Sequence, residues 1–196
     1  MVADPETVLR RDPVMATVVD RHDPHPIEPV GCEYERLFVS IVNQQLSTAS
    51  ATAVRERAFD VLEGDVRPET VLAADDEALL EAGLSARKLE YVREAARAFC
   101  ERDLTREGLA EHSDREVLDE LTRIRGVGEW TARMYLIFVL ERPDVLPLGD
   151  LAVRRGIELL YNEGEELSRA TMRELAEPWR PYRSLATRYL WAAYEA

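Results

Sequence analysis

Two glycines one residue apart, Gly126 and Gly128, interrupt an apolar helical pattern in the segment LTRIRGVGEWT at residues 121–131. Glycine lets a backbone turn tightly and approach another molecule closely, because no Cβ blocks a positive φ or the contact itself. A second helix is predicted to begin near Glu129, so that its first free amides and the positive end of its dipole face the turn. This arrangement predicts an anion site, and the anion that it suits is a phosphate.

An acidic residue, Asp150, is the second candidate for chemistry. It lies in the sequence LGDL at residues 148–151, where a loop leads into a predicted helix. Aspartate is a preferred N-cap residue, so a purely structural role would explain it. The two roles are compatible, because a capping carboxylate is held in a fixed orientation. Asp150 is therefore a candidate catalytic carboxylate as well as a candidate helix cap.

The elements that must position these residues are helices nearly throughout the chain. Strand-like alternation is missing, and Gly and Pro fall mostly at element boundaries. A capping box at Ser113 and Glu116 opens the helix before the glycine turn, and an apolar helix at residues 130–140 follows it. The segments predict two helical lobes. One is residues 35–142, with the hairpin of helices at 114–140, and the other is residues 1–34 plus 143–196, which carries Asp150.

Composition excludes several classes of protein. With 196 residues, 46% of them hydrophobic, the chain can bury a real core and is not expected to be disordered. No apolar stretch is long enough to span a membrane, and the first residues lack an apolar signal core, so we expect a cytoplasmic protein. Only Cys32 and Cys100 are present, which excludes a four-cysteine cluster, and His22 and His25 lack supporting ligands. No metal site built from side chains is predicted.

The net charge of −13, from 38 acidic and 25 basic residues, at first argues against a nucleic-acid partner. The alternative is an adaptation to concentrated salt, which shortens the range of all charges. We favour the alternative because the acids are not evenly spread. Residues 178–194 contain Arg180, Arg183 and Arg188 and no acid. The local pattern therefore allows a nucleic-acid partner that the overall charge would exclude.

The glycine hairpin at 121–131, followed in the chain by Gly149 and Asp150, resembles the helix–hairpin–helix base-excision DNA glycosylases. The resemblance is strongest to the 3-methyladenine DNA glycosylase II group, through the segments IVNQQLS at 41–47, GLSARK at 83–88 and PWRPYRSLATRYLW at 178–191. It spans residues 35–196. It implies an all-α fold of two helical lobes with a DNA- and base-binding cleft between them, acting as a monomer on double-stranded DNA that contains damaged bases. It also implies that this cytoplasmic protein is associated with the nucleoid.

The residue immediately before Thr131 indicates whether such an enzyme only releases a base or also cleaves the DNA strand. In family members that also cut the strand, a lysine stands there and its amine attacks the sugar. Here the residue is Trp130, and an indole cannot form a Schiff base. The resemblance therefore implies a monofunctional enzyme that hydrolyses the N-glycosidic bond of alkylated purines, of the 3-methyladenine and 7-methylguanine type, without lyase activity. Asp150 would stabilise the positive charge that develops on the sugar.

The same resemblance assigns further residues. Trp130 and Trp191 match aromatic positions of the base pocket, where electron-rich rings would stack on a flipped, cationic base. A role in the core is the alternative for both tryptophans. Gln45 matches the residue that fills the gap left by the flipped nucleotide, and the alternative for it is an amide that hydrogen-bonds its own backbone.

The hairpin itself is assigned to the DNA backbone. Gly126, Gly128 and Thr131 would bind a phosphate, and no cofactor is implied beyond a monovalent cation held by the backbone carbonyls of Ile124 and Gly126. Two other functions stay open. A non-catalytic helix–hairpin–helix DNA-binding protein would use Asp150 only as a cap, and a glycosylase for oxidised or deaminated bases would share the same machinery.

Overall fold

The computed structural model describes residues 4–27 and 31–195, apart from the side chain of Thr48, and the described residues form helices and no strands. No helix among them is long and apolar enough to cross a membrane. The α-helices are α1 (Pro5–Leu9), α2 (Pro13–Arg21), α3 (Glu33–Asn43), α4 (Thr48–Val61), α5 (Pro68–Ala73), α6 (Asp76–Glu81), α7 (Ala86–Glu101), α8 (Asp114–Thr122), α9 (Glu129–Phe138), α10 (Leu151–Tyr161), α11 (Arg169–Leu175) and α12 (Arg183–Glu195). A short 3₁₀ helix, Glu177–Trp179, lies between α11 and α12. The all-α fold expected from the sequence is confirmed.

The chain divides into two units, Glu28–Leu140 and Met1–Ile27 with Glu141–Ala196. The sequence had suggested boundaries at residues 35 and 142. The structure divides the chain between residues 27 and 28 and again between residues 140 and 141, two residues after the end of α9.

The unit Glu28–Leu140 is built around α3 and α9. Helix α3 packs on α4, α7 and α9, and α8 packs on α9 to form the hairpin of helices. Serine side chains cap the starts of several helices by accepting a backbone N–H, and at α8 Ser113 and Glu116 cap each other's backbone in the predicted capping box. Helix α9 is buried along most of its length, and Ala132 and Leu136 have no exposed surface. The second helix of the hairpin is therefore anchored in the core, which fixes the direction of its N-terminus.

The unit that joins the N- and C-terminal segments contains α1, α2 and α10 to α12. Asp12 caps α2 and also accepts hydrogen bonds from the indole of Trp179, at 2.9 Å, and from the hydroxyl of Tyr161, at 2.5 Å. A buried carboxylate must be satisfied in this way, since an unpaired one is costly. Helices α10 and α12 approach closely at Gly156, where an added Cβ would lie 3.3 Å from the Leu190 carbonyl oxygen. The close approach joins the middle of α10 to the middle of α12.

Candidate active site

Asp150 is the N-cap of α10, and its Oδ1 accepts the backbone N–H of Val153 at 3.0 Å. The backbone N–H of Asp150 donates to the Pro147 carbonyl at 2.8 Å, so the residue is fixed from both sides. The helix cap considered as the structural alternative is therefore present. It holds the carboxylate in one orientation at the end of the loop, as a catalytic role also requires.

Trp191, on α12, lies beside this carboxylate. Its indole N–H donates to the same Oδ1 of Asp150 at 3.3 Å, and the side chain is only 8% exposed. The ring of His25 also contacts Trp191, in an edge-to-face arrangement with the ring centroids 6.1 Å apart. The His25 segment is in turn held to α12, because Arg188 donates through Nε to the His25 carbonyl. Asp150 and Trp191, assigned separately from the sequence, thus form a direct contact.

The loop that carries Asp150 is also held by a residue that the sequence analysis did not single out. Arg154, one turn into α10, directs its Nη1 back towards the loop and donates to the carbonyls of Leu148, Gly149 and Asp150. No sequence signal identifies this contact, because an arginine in a helix most often faces solvent.

The glycine turn in the other unit has two distinct glycines. Gly126 adopts φ +92°, and an added Cβ would overlap the ring of Tyr91. Gly128 has an ordinary φ of −89°, forms the N-cap of α9 without a side-chain cap, and has nothing within 4 Å of an added Cβ. Gly126 is required by the backbone and by Tyr91, whereas Gly128 leaves the N-terminus of α9 open to a partner.

Gln44, at the end of α3, connects that helix to the hairpin. Its Nε2 donates to the Gly126 carbonyl at 3.0 Å and lies 3.4 Å from the hydroxyl oxygen of Thr131. Thr131 is 3% exposed, so its hydroxyl faces the protein, and what it can offer to a phosphate is its amide in the first turn of α9. The contact between Gln44 and Gly126 joins residues far apart in sequence, and no pattern in the sequence predicts it.

An open cavity of about 880 Å³ lies in the same unit, beside the hairpin. Its lining residues come from the end of α3, the start of α7 and the hairpin: Asn43, Gln44, Gln45, Ser85, Arg87, Lys88, Tyr91, Gly126, Val127, Gly128, Trp130 and Thr131. Trp130 is 37% exposed, an unusual position for the largest apolar side chain. The residues assigned to DNA in this unit, Gln45, Gly126, Gly128, Trp130 and Thr131, therefore share one surface.

Gln45 lies at the turn between α3 and α4, with an exposed side chain and φ +57°. A left-handed conformation is strained for a residue other than glycine and is often retained at a functional position. Within the described part of the chain the Gln45 side chain makes no hydrogen bond, so the alternative of an amide bonded to its own backbone is not what the structure contains. The turn presents Gln45 to solvent.

Lys88, the single lysine of the chain, lines this cavity but is engaged. Its Nζ donates to the Val42 carbonyl at 2.6 Å, near the end of α3. Burial lowers the pKa of the Lys88 amine. Because it hydrogen-bonds a carbonyl in the last turn of α3, Lys88 has a structural role. It stabilises the end of α3, which Gln44 and Gln45 follow.

The described residues contain no group of three or more His, Cys, Asp or Glu side chains able to hold a metal ion.

The candidate residues form two sets, one in each unit. Asp150 and Trp191 meet at the start of α10, and the hairpin set lines the cavity beside α9.

Comparison with known proteins identifies one family. Residues 38–181 match the model of the HhH-GPD superfamily base excision DNA repair proteins. The chain is 32% identical over 161 residues to DNA-3-methyladenine glycosylase 1 of Schizosaccharomyces pombe, covering 81% of this chain and 71% of that protein. It is 29% identical over 188 residues to Bacillus subtilis YfjP, covering 92% of this chain and 66%, about two thirds, of that relative.

A solved structure extends the comparison to the fold. The 3-methyladenine DNA glycosylase Mag1 of Schizosaccharomyces pombe, in complex with abasic DNA, superposes with a TM-score of 0.84 at 30% identity, covering 96% of this chain and 95% of that one.

Proposed function

Because the chain belongs to the HhH-GPD superfamily of base excision DNA repair proteins, we propose that it is a monofunctional DNA glycosylase that releases alkylated purines and leaves an abasic site. The observation that carries the proposal is the contact between Asp150 and Trp191, because it holds a carboxylate beside an aromatic ring. The names of the relatives, which are 3-methyladenine glycosylases, support the alkylated purine as substrate, and the abasic DNA bound to Mag1 supports DNA as the partner.

The chemistry needs a single carboxylate. A purine alkylated at N3 or N7 is already cationic, so the bond from C1′ to the base nitrogen breaks with its electron pair leaving on the base, and no general acid is required. Asp150 stabilises the positive charge that develops on the sugar. Water then adds to C1′ and releases its proton, which gives the abasic sugar. The protein forms no covalent bond to the DNA, because Trp130 stands where strand-cleaving relatives carry a lysine.

The aromatic residues recognise the base. The target base must leave the stack before its glycosidic bond can be reached. A cationic ring stacks favourably on an indole, and Trp191 and the half-exposed Trp130 are the rings that we assign to this role. Gln45, presented by the turn between α3 and α4, would fill the gap in the duplex.

The hairpin binds the DNA backbone. Gly128 leaves the first amides of α9 uncovered by any side-chain cap, and these amides together with the helix dipole suit a phosphate. We propose that the amides of Gly126, Gly128 and Thr131 supply this contact. Binding through amides and stacking depends less on salt than lysine–phosphate pairs do, which is consistent with a protein of net charge −13.

A monovalent cation at the hairpin would be held by backbone carbonyls. The Gly126 carbonyl accepts the Gln44 amide N–H at 3.0 Å and keeps a second lone pair. The Ile124 carbonyl accepts the Val127 N–H at 3.0 Å and has a second lone pair. We therefore propose the carbonyls of both Ile124 and Gly126 as ligands of this cation. The ion would add positive charge beside a phosphate and takes no part in bond cleavage.

A base-release panel tests the proposed function. The protein is incubated with duplexes that contain 7-methylguanine, 3-methyladenine, hypoxanthine, uracil or 8-oxoguanine, and the freed bases are separated and quantified. We expect release of the two methylated purines. Release of only the oxidised or deaminated bases would replace the substrate class, and binding without release of any base would favour a non-catalytic DNA-binding protein.

A further inference from the structure

Arg154 contacts the loop that presents Asp150 through main-chain carbonyls. The two hydrogens of its Nη1 are shared among three successive carbonyl oxygens, those of Leu148 at 3.0 Å, Gly149 at 3.1 Å and Asp150 at 3.3 Å. The carbonyl groups of the three residues that precede α10 therefore all contact Nη1 of Arg154. Hydrogen bonds with an ionised donor are stronger than neutral ones, so the guanidinium restrains these peptide planes more firmly than backbone contacts alone would.

Helix stability does not explain this placement. The positive end of the α10 dipole lies at its N-terminus, where an added cation is unfavourable. The first turn of α10 contains no acidic residue to offset the charge, other than the N-cap Asp150 that precedes it. Arg155, the next residue, shows the ordinary alternative, because it pairs with Glu158 one turn further along and away from the helix start. The Arg154 guanidinium instead lies at the N-terminus of α10, where the helix dipole repels a cation.

The orientation of the Asp150 carboxylate depends on the peptide planes that Arg154 holds. Oδ1 of Asp150 accepts from Val153 N and Trp191 Nε1, and both contacts require the Cα of Asp150 to stay where the loop places it. The buried side chain of Leu148 anchors the loop, whereas Gly149 has no side chain and nothing within 4 Å of an added Cβ, so the Gly149 peptide has no side-chain packing of its own. The three hydrogen bonds from Arg154 supply that restraint.

We propose that Arg154 is a positioning residue for glycosidic bond cleavage. It fixes the Leu148–Gly149–Asp150 backbone so that the carboxylate faces the sugar as positive charge develops there. It acts through Asp150 and touches neither the base nor the sugar. This inference rests on the proposed function, in which Asp150 is the catalytic carboxylate.

The test is a double-mutant cycle on the 196-residue chain. Single-turnover release of 7-methylguanine is measured at saturating enzyme for wild type, R154M, R154K, D150N and R154M/D150N, with R155M as a matched control on the same helix turn. Affinity is measured on a duplex that contains a stable abasic-site analogue. Methionine keeps most of the aliphatic stem of Arg154 and removes the donors.

The expected results separate positioning from general structural damage. R154M slows release by about 10- to 100-fold, the size of effect that a displacement of about 1 Å produces, and leaves duplex affinity unchanged. R154K, which keeps one charged nitrogen, falls between R154M and wild type, and R155M matches wild type. In the D150N background R154M has no further effect, because the carboxylate through which Arg154 acts is absent.

Two outcomes would overturn the inference. R154M releasing base as fast as R155M would show that the loop needs no restraint from Arg154. An equal loss from R154M with and without D150N would show that Arg154 acts through the stability of the unit, and a lower thermal unfolding temperature of R154M than of R155M would identify that loss. If D150N itself does not slow release, it is the proposed function that fails, which the cycle reports separately.

Discussion

The indole N–H of Trp191 and the backbone N–H of Val153 converge on one oxygen, Oδ1, of the Asp150 carboxylate. The first donor comes from α12 and the second from the first turn of α10. Because both are fixed by helices that pack closely at Gly156, the carboxylate is oriented by the fold before any substrate arrives. Reorganisation at the moment of reaction is then small, which is the condition for electrostatic catalysis.

Replacing Trp191 with Phe keeps an aromatic ring and removes the N–H that orients Asp150. We expect single-turnover release of 7-methylguanine to fall by about fivefold, which corresponds to one hydrogen bond of about 1 kcal/mol. W191L, which removes the ring as well, should fall further because stacking on the base is lost. The matched control is W179F in the same unit, since Trp179 donates its indole N–H to Asp12 instead. W179F should lower thermal stability without slowing release, and equal release rates for W191F and W179F would contradict the role of Trp191.

The two glycines of the hairpin are expected to respond differently to alanine. G126A forces a side chain into φ +92° and into the Tyr91 ring, so it should lower the free energy of unfolding by about 1–3 kcal/mol in urea titrations. G128A meets nothing within 4 Å and should cost about 1 kcal/mol or less, mainly as a poorer N-cap.

Duplex binding separates the two variants further. G128A should weaken affinity for an abasic-analogue duplex, measured by fluorescence anisotropy, because its methyl group lies where a phosphate approaches. A G128A variant that binds DNA like wild type would mean that the N-terminus of α9 is not the phosphate site.

The absence of lyase chemistry can be tested through the single lysine. Incubation with a duplex that contains an abasic site, followed by borohydride, traps any Schiff base between an amine and the sugar aldehyde. We expect no trapped protein–DNA adduct, because Trp130 cannot form one and the Lys88 amine is bonded to the Val42 carbonyl. The control variant K88R removes the only side-chain amine. An adduct that wild type forms and K88R does not would contradict the monofunctional assignment.

Salt dependence tests the interpretation of the acidity. If the net charge of −13 is an adaptation to concentrated salt, release and duplex affinity should persist between about 0.1 M and about 2 M KCl. Amide–phosphate contacts and stacking lose little under these conditions. Activity that is highest in dilute buffer and collapses at high salt would show that the acids serve another purpose.

The parts of the site that sequence predicts are those encoded by local backbone rules. Asp150 is recognisable as an N-cap because a loop ending in glycine precedes an apolar helical pattern, and the capping box at Ser113 is a signature within four residues. The glycine turn is recognisable for the same reason, since a positive φ at Gly126 demands that residue type.

Contacts made between distant segments are what sequence alone does not supply. Gln44 reaches the Gly126 carbonyl and Trp191 reaches Asp150 only because α3 packs on α9 and α10 on α12. Arg154 lies close to Asp150 in the chain, yet whether a long side chain turns back to the loop or out to solvent depends on packing that a single sequence does not contain.

The most direct test of the account is the rate of base release by D150N. Asparagine keeps the size of the side chain and an oxygen able to cap α10, and it removes the charge. With saturating enzyme and a 7-methylguanine duplex, we predict that release falls by about 10²-fold or more, while affinity for the abasic-analogue duplex stays at the wild-type value. Release by D150N at the wild-type rate would contradict the central claim that the Asp150 carboxylate stabilises the sugar as its bond to the base breaks.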